Sequence, residues 1–272
     1  IKDYCPDYSG RLGGRITIHQ LLTHTSGLPC DNPPEIEAIQ ERLPHSLREM
    51  VGYAEKADLV FAPGTGFGYS NFGYYILAYI VERVTGKPYD VALKENILDP
   101  AGMYNTSQFN NNRVEKNLVR GYEYKLLYGY ENAAMFDHTY TIGAGGIIST
   151  VEDLYRWDQA LHSNKLLGKD LTAKMFTPYS PGNYGYGWFI NYRKIGATGD
   201  SILVADHAGS INGFGSWMAR ILSDSSLVVV LKNQRSDTYI DPAFAPDIGQ
   251  QIVSVLCGEK PEIPKKSIAR HI

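Results

Sequence analysis

The apolar positions of this 272-residue chain follow two different rhythms. Through the first two-thirds they recur every three or four residues. Phe72, Tyr75, Ile76, Tyr79, Ile80 and Val84 mark one side of a helix that follows Asn71 and is closed by Gly86. Thr17 and Gln20 form a capping box for a short helix, with Gly27 placed as its terminating glycine. Leu47 to Ala57 reads as another helix. Tyr89, Leu93 and Ile97 predict one that ends at Asp99-Pro100. Ser149 and Glu152 read as a capping box before a helix with Leu154, Trp157 and Leu161 on one face. In the last third the rhythm changes to alternation. Tyr186, Trp188, Ile190 and Tyr192 alternate with Gly187, Phe189 and Asn191, and short apolar runs follow at Ile202–Ala205, Phe214–Leu222 and Leu227–Leu231. Ser223-Asp224-Ser225-Ser226 is a turn between the last two. Pro246 then opens a closing helix, with Ile248, Ile252, Val255 and Leu256 expected on its inner side.

Helices first and a meander afterwards give an α+β order rather than βαβ alternation. The expectation is an antiparallel sheet of C-terminal strands flanked by helices, with a mostly helical subdomain. One domain is expected over residues 1–258, helical from about 16 to 175, with the sheet and closing helix from about 184 to 258. Residues 259–272, with Pro261 and Pro264, read as an exit tail. Residues 104–140, rich in Asn and Tyr without clear periodicity, are expected to be irregular and to form a wall of a cleft.

The net charge of -3 gives no electrostatic reason to expect nucleic acid, and no apolar run approaches the roughly 18 residues of a membrane span. Cys5, Cys30 and Cys257 are odd in number and lack metal-ligand spacing, so they read as buried or partly buried free thiols. No metal and no cofactor is expected. Gly143-Ala144-Gly145-Gly146 lacks the Lys-Ser/Thr of a phosphate loop and reads as a place where the backbone passes close to another element.

Two stretches place polar groups on purpose-built backbone. The first is Tyr69-Ser70-Asn71, delivered by the turn Pro63-Gly64-Thr65-Gly66-Phe67-Gly68 to the mouth of the long helix. The second is His207-Ala208-Gly209-Ser210, after the Ile202 run. On an edge strand His207 and Gly209 share a face, and a glycine there lets a ligand approach the backbone. The Ser210 N–H is then a donor for an oxyanion, and Tyr69 a proton carrier if a nearby cation lowers its pKa. Asn71 offers a donor and an acceptor to an amide or ester carbonyl. Taken singly, a tyrosine in a chain with 20 of them, a serine before a helix and a histidine on a strand are ordinary structural residues. His24 beside Thr25 and Ser26 is read as structural too, since neighbours on a helix do not face one another.

Together these motifs resemble the penicillin-recognising serine hydrolases of the class C β-lactamase and D-Ala-D-Ala carboxypeptidase type. Leu21-Leu22-Thr23-His24-Thr25-Ser26-Gly27, Tyr69-Ser70-Asn71, Gly145-Gly146-Ile147-Ile148-Ser149-Thr150 with Asp153, Tyr184-Gly185-Tyr186-Gly187-Trp188, and His207-Ala208-Gly209 with Gly213-Phe214 stand in the family's order. The resemblance implies a β-lactamase/transpeptidase-like fold and acyl transfer on a D-amino-acid peptide, ester or β-lactam carbonyl. It implies that Tyr69 relays protons, that Asn71, His207, Ala208 and Gly209 contact substrate, and that Ser210 lends an oxyanion N–H. His207 in place of Lys is similar to the carboxypeptidase, D-aminopeptidase and esterase branches. The family's nucleophile is the Ser of a Ser-x-x-Lys motif, and no Ser in this chain has Lys three residues later. The expectation is therefore an N-terminally incomplete domain, inactive by itself. Its partners would be a small-molecule or peptide substrate, and the missing segment or a second copy over an open sheet edge. Family habit implies a periplasmic or secreted location. The competing expectation is a non-catalytic module that binds a peptidoglycan-like or protein ligand in the same cleft.

Overall fold

The computed structural model describes residues 1–10, 14–31, 39, 41–125, 128–179, 181–195, 200–236 and 245–260. It divides into two units, Ile1–Val114 with Phe136–Trp188, and Glu115–Met135 with Phe189–Ile272. The fold is α+β, as the order of rhythms predicts. Most of the exit tail lies outside the described residues.

The first unit is built on α1 (Ile18–Leu22), α2 (Leu47–Lys56) and α3 (Asn71–Thr85). Thr17 caps α1 through the predicted box with Gln20, and Ser46 caps α2 the same way through Glu49. Ser70 caps α3 by accepting from Gly73 N–H, and Gly86 ends it in the left-handed region. The apolar side of α3 is buried: Phe72, Tyr75, Ile76 and Ile80 join Leu21, Leu28, Met50 and Val51 in one core. Gly143 sits where α3 comes close, because a Cβ there would lie 2.4 Å from that of Ala78.

Four local expectations are corrected in this unit. Helix α1 ends at Leu22 and does not run toward Gly27. Instead His24 turns the chain with φ 55, and the segment after it runs out beside the 60–72 turn. The helix from Tyr89 does not stop before Pro100. After α4 (Tyr89–Leu93) it continues through a π turn, Lys94–Leu98, and a last turn, Asp99–Ala101. Pro100 is tolerated at the start of that last turn, where its missing N–H is not needed. Helix α5 (Val151–His162) is capped by Thr150, not Ser149. The Ser149 hydroxyl is drawn away to Thr106 Oγ1 at 2.8 Å, and Thr150 Oγ1 takes the Asp153 N–H. Helix α6 (Lys169–Met175) follows. The 104–140 stretch, expected to be irregular, contains β1 (Ser107–Gln108), which pairs with β4 (Ile147–Ile148).

The second unit carries a four-stranded antiparallel sheet in the order β5 (Phe189–Ile195), β6 (Asp200–Ile211), β7 (Phe214–Ile221), β8 (Leu227–Lys232). The first strand starts at Phe189 rather than Tyr186, because Gly187 turns the chain with φ +87. A smaller sheet joins the hairpin β2 (Tyr122–Lys125) and β3 (Gly129–Asn132), also drawn from the 104–140 stretch, to β9 (Gln234–Ser236). Helix α7 (Ala245–Leu256) packs on β7 and β8. Its inner side is Ala245, Gly249 and Val253, whereas Ile252, Val255 and Leu256 are exposed, against expectation. The cause is Trp217: a Cβ at residue 249 would lie 2.0 Å from its indole, so the helix must present its smallest residue there.

Candidate active site

In the first unit the tyrosine turn is held from outside itself. Residues 24–30 and 60–72 are laced by backbone bonds: Gly64 N–H to Thr25 O at 2.7 Å, Gly68 N–H to His24 O at 3.0 Å, and Asn71 N–H to Cys30 O at 2.9 Å. Buried Ser70 both caps α3 and donates its hydroxyl to Pro29 O at 2.7 Å. Its N–H donates to His24 Nδ1 at 3.0 Å. That bond makes Nδ1 an acceptor and places the proton of the neutral ring on Nε2. His24 is 1% exposed, and its ring lies 4.2 Å from Tyr69, 4.6 Å from Tyr184 and 5.1 Å from Tyr74. His24 is thus part of the frame that positions the turn.

Tyr69 stands in this aromatic cage. Burial pushes its phenol up to about 12, and the neighbouring Cys30 and Asp31 add to the rise. Its proton is therefore firmly held at neutral pH. Asn71 Nδ2 donates to Asp31 Oδ2 at 2.8 Å, and the Cys30 thiol donates to the same oxygen at 3.0 Å. Tyr74 donates to Leu22 O, and burial raises the phenols of Tyr74 and Tyr184 further still. Cys5 is buried, Cys257 half-buried and Cys30 exposed; all three are free thiols. The exposure of Cys30 departs from the expected burial: its carbonyl accepts from the first N–H groups of α3, while its thiol lies at the surface between Asp31 and the Asn71 amide.

In the second unit His207, Ala208, Gly209 and Ser210 are successive residues of β6, opposite Met218, Trp217, Ser216 and Gly215 of β7. Strand β6 lies inside the sheet, not at its edge as expected. However, β5 pairs with it only as far as Phe189–Asp206, so from His207 onward no described strand lies on that side. The motif occupies a locally open flank of an interior strand. His207 stacks on Phe189 at 5.8 Å, and burial lowers its pKa, so the ring is neutral at pH 7. A Cβ on Gly209 would meet Ser216 Oγ at 2.4 Å, which puts a serine hydroxyl over the motif's glycine. Asp206, next to His207, is fixed by Trp217 Nε1 at 2.9 Å and Arg193 at 3.2 Å.

Tyr69 and Asn71 thus share one cluster, and His207 to Ser210 share another, each within its own unit. Sequence reasoning missed Asp31, Cys30 and Ser216. Asp31 lies 40 positions from Asn71, and no local pattern joins them. Among the described residues no three His, Cys, Asp or Glu side chains are grouped to hold a metal, and no helix is long and apolar enough to cross a membrane.

The β-lactamase family profile matches residues 1–245, and the chain belongs to that family of serine hydrolases. It is 32% identical over 192 residues to the putative penicillin-binding protein PbpX of Bacillus subtilis, covering 70% of this chain and 46% of the relative. The octameric penicillin-binding protein homologue from Pyrococcus abyssi superposes with a TM-score of 0.75 at 27% identity, over 96% of this chain and 60% of that one. D-amino acid amidase from Ochrobactrum anthropi SV3 gives a TM-score of 0.75 at 20% identity, over 95% of this chain and 77% of that one, and so shares the fold. The chain spans about half the length of the curated relatives it matches.

Proposed function

We propose that this chain is the relay and substrate-gripping part of an acyl-transfer serine hydrolase acting on a D-amino-acid peptide, ester or β-lactam carbonyl. Tyr69 carries protons between nucleophile and leaving group. Asn71, His207, Ala208 and Gly209 hold the substrate, and the Ser210 N–H receives the oxyanion. The observation that carries the reading is the Tyr69-Ser70-Asn71 turn: its buried middle residue is fixed by three hydrogen bonds, so that the two residues flanking it are presented in a set geometry. Family membership supplies the chemistry. By family habit the enzyme works outside the cytoplasm. No Ser in the chain is followed three residues later by Lys, so acylation requires a Ser-x-x-Lys from elsewhere in the protein, and the chain by itself is inactive.

One observation favours a second reading, a ligand-binding module without catalysis. The groups that act on the tyrosine's charge are a thiol and a carboxylate, which hold its proton on rather than ease it off. The 272-residue chain, alone and mixed with a peptide that carries a Ser-x-x-Lys helix, should be profiled on D-amino-acid amides, short esters and a chromogenic cephalosporin. Turnover that falls by about 10²-fold in Y69F supports catalysis with Tyr69 in proton transfer. Binding without turnover of any of them supports the module.

A further inference from the structure

Outside both polar clusters, the small sheet of the second unit sorts its residues by face. Residues opposite one another on paired strands share a face. Tyr124 lies opposite Tyr130, and Tyr122 lies between Asn132 on β3 and Gln234 on β9. All of these therefore fall on one face of the sheet β3-β2-β9. The rings of Tyr124 and Tyr130 touch there, with centroids 5.3 Å apart and planes at 65°. Every charged residue of the three strands falls on the other face: Glu123 opposite Glu131 and Arg235, and Lys125 paired with Glu123 at 3.0 Å. That charged face is also the one that packs on the β6–β7 turn, because a Cβ on Gly121, two residues before Glu123, would lie 2.6 Å from the Phe214 ring. The usual order puts charges toward water and rings toward the protein, and here it is inverted. Tyr130 is 64% exposed. Among the described residues no side-chain hydrogen bond is made by Tyr122, Tyr124, Tyr130, Asn132 or Gln234, so their hydroxyls and amides are free. The face thus offers uncharged rings edged by free donors and acceptors. A charged ligand would find no counter-charge on it. A wholly apolar ligand would strip water from the hydroxyls and amides without pairing them. A sugar ring whose substituents are all equatorial answers both conditions, with C–H surfaces above and below for the rings and a rim of hydroxyls for the polar tips.

We infer that the tyrosine face of β3-β2-β9 is a binding surface for an uncharged saccharide chain of equatorially linked pyranose rings. It uses neither Tyr69 and Asn71 nor the His207 motif, so it stands or falls apart from the acyl-transfer reading.

The measurement is calorimetric titration of the 272-residue chain with cellohexaose, an uncharged chain of that kind. Maltohexaose, whose axial linkages curl the chain, is the control ligand. The variants are Tyr130→Ala and Asn132→Ala on the tyrosine face, and Glu131→Gln between them on the charged face. Tyr130 and Asn132 are exposed on an edge strand, and unchanged thermal unfolding checks that their variants keep the fold. Tyr130→Phe, which keeps the ring and loses only the hydroxyl, gives a second reading at the same position. The expected result is that cellohexaose binds and maltohexaose binds more weakly. Tyr130→Ala and Asn132→Ala should each weaken cellohexaose by about threefold to tenfold, the range of one aromatic contact or one hydrogen bond. Tyr130→Phe should lose less than Tyr130→Ala, and Glu131→Gln should lose nothing. Absence of cellohexaose binding overturns the inference. So does equal affinity for the two hexamers, or an affinity unchanged in both Tyr130→Ala and Asn132→Ala. A dimer seen by sedimentation and lost in Tyr130→Ala assigns the face to a second copy of the chain and overturns the saccharide assignment.

Discussion

At Tyr69–Asn71 the polar groups of the turn reach residues 40 to 46 positions away: Ser70 N–H to His24, Ser70 Oγ to Pro29, Asn71 Nδ2 to Asp31. At His207–Ser210 the motif is held by the residues of one hairpin, in register against β7, with Ser216 over Gly209. The first cluster is therefore a tertiary construction, sensitive to any residue in its frame. The second is a product of strand pairing, sensitive to the backbone of the hairpin and tolerant of its side chains. The electrostatics differ as well. Tyr69 sits among groups that favour its protonated form, while His207 is kept neutral by burial.

The largest effect should come from the frame of the tyrosine turn. His24→Ala removes a buried ring from among three tyrosines and the acceptor of the Ser70 N–H. The expected loss is about 3–4 kcal/mol of stability, read by urea unfolding, with cavity and unpaired donor both contributing. A loss below about 1 kcal/mol would mean that the turn holds without its frame.

Next is the hairpin backbone. Gly213 has φ +74, and a Cβ there would lie 2.5 Å from Ala133 Cβ and 2.8 Å from Gly121 Cα. Gly213→Ala should cost about 2–3 kcal/mol, because main chain must move. Gly209→Ala, four residues earlier, meets only a serine hydroxyl that can rotate, and should cost less than about 1 kcal/mol, relieved by adding Ser216→Ala. Equal costs at the two glycines would contradict the backbone-against-side-chain distinction.

Ser70→Ala deletes a helix cap and a donor to Pro29 O together, for about 1–2 kcal/mol. The smallest effect concerns pH. His207 has its pKa lowered from 6.5 by burial, so the unfolded chain binds a proton that the folded one resists. Its contribution to stability is present above pH 6.5 and fades as pH falls through the lower folded value. Between about pH 7 and 5 the natural chain should lose more stability than His207→Gln, measured by denaturant titration. His138, also lowered by burial, is common to both and cancels.

Much of this comparison was legible in the chain. The Phe72 to Ile80 rhythm, the serine before the helix and Gly86 located α3 to within a residue, because helix ends are written in local chemistry, although Val84, read as part of the same face, is exposed. The meander was legible from alternation and from the Ser223–Ser226 turn, and the antiparallel pairing of β7 with β8 bears that out. What was not legible depends on partners distant in sequence. The inner side of α7 follows from the indole of Trp217, not from its own apolar residues. The choice of Thr150 over Ser149 follows from Thr106. Asp31 and His24 join the tyrosine cluster only when two remote loops are laced together. The parallel pairing of β2 with β9, Tyr122 opposite Gln234, joins stretches far apart in the chain and has no local signal.

The central claim is that this chain holds the relay and grip of an acyl-transfer site without its nucleophile. Intact-mass spectrometry after exposure to a fluorophosphonate and to a β-lactam tests it most directly. The 272-residue chain should remain unmodified by either reagent, because no Ser in it has Lys three residues later. A stoichiometric adduct on any serine of the 272-residue chain would contradict the account.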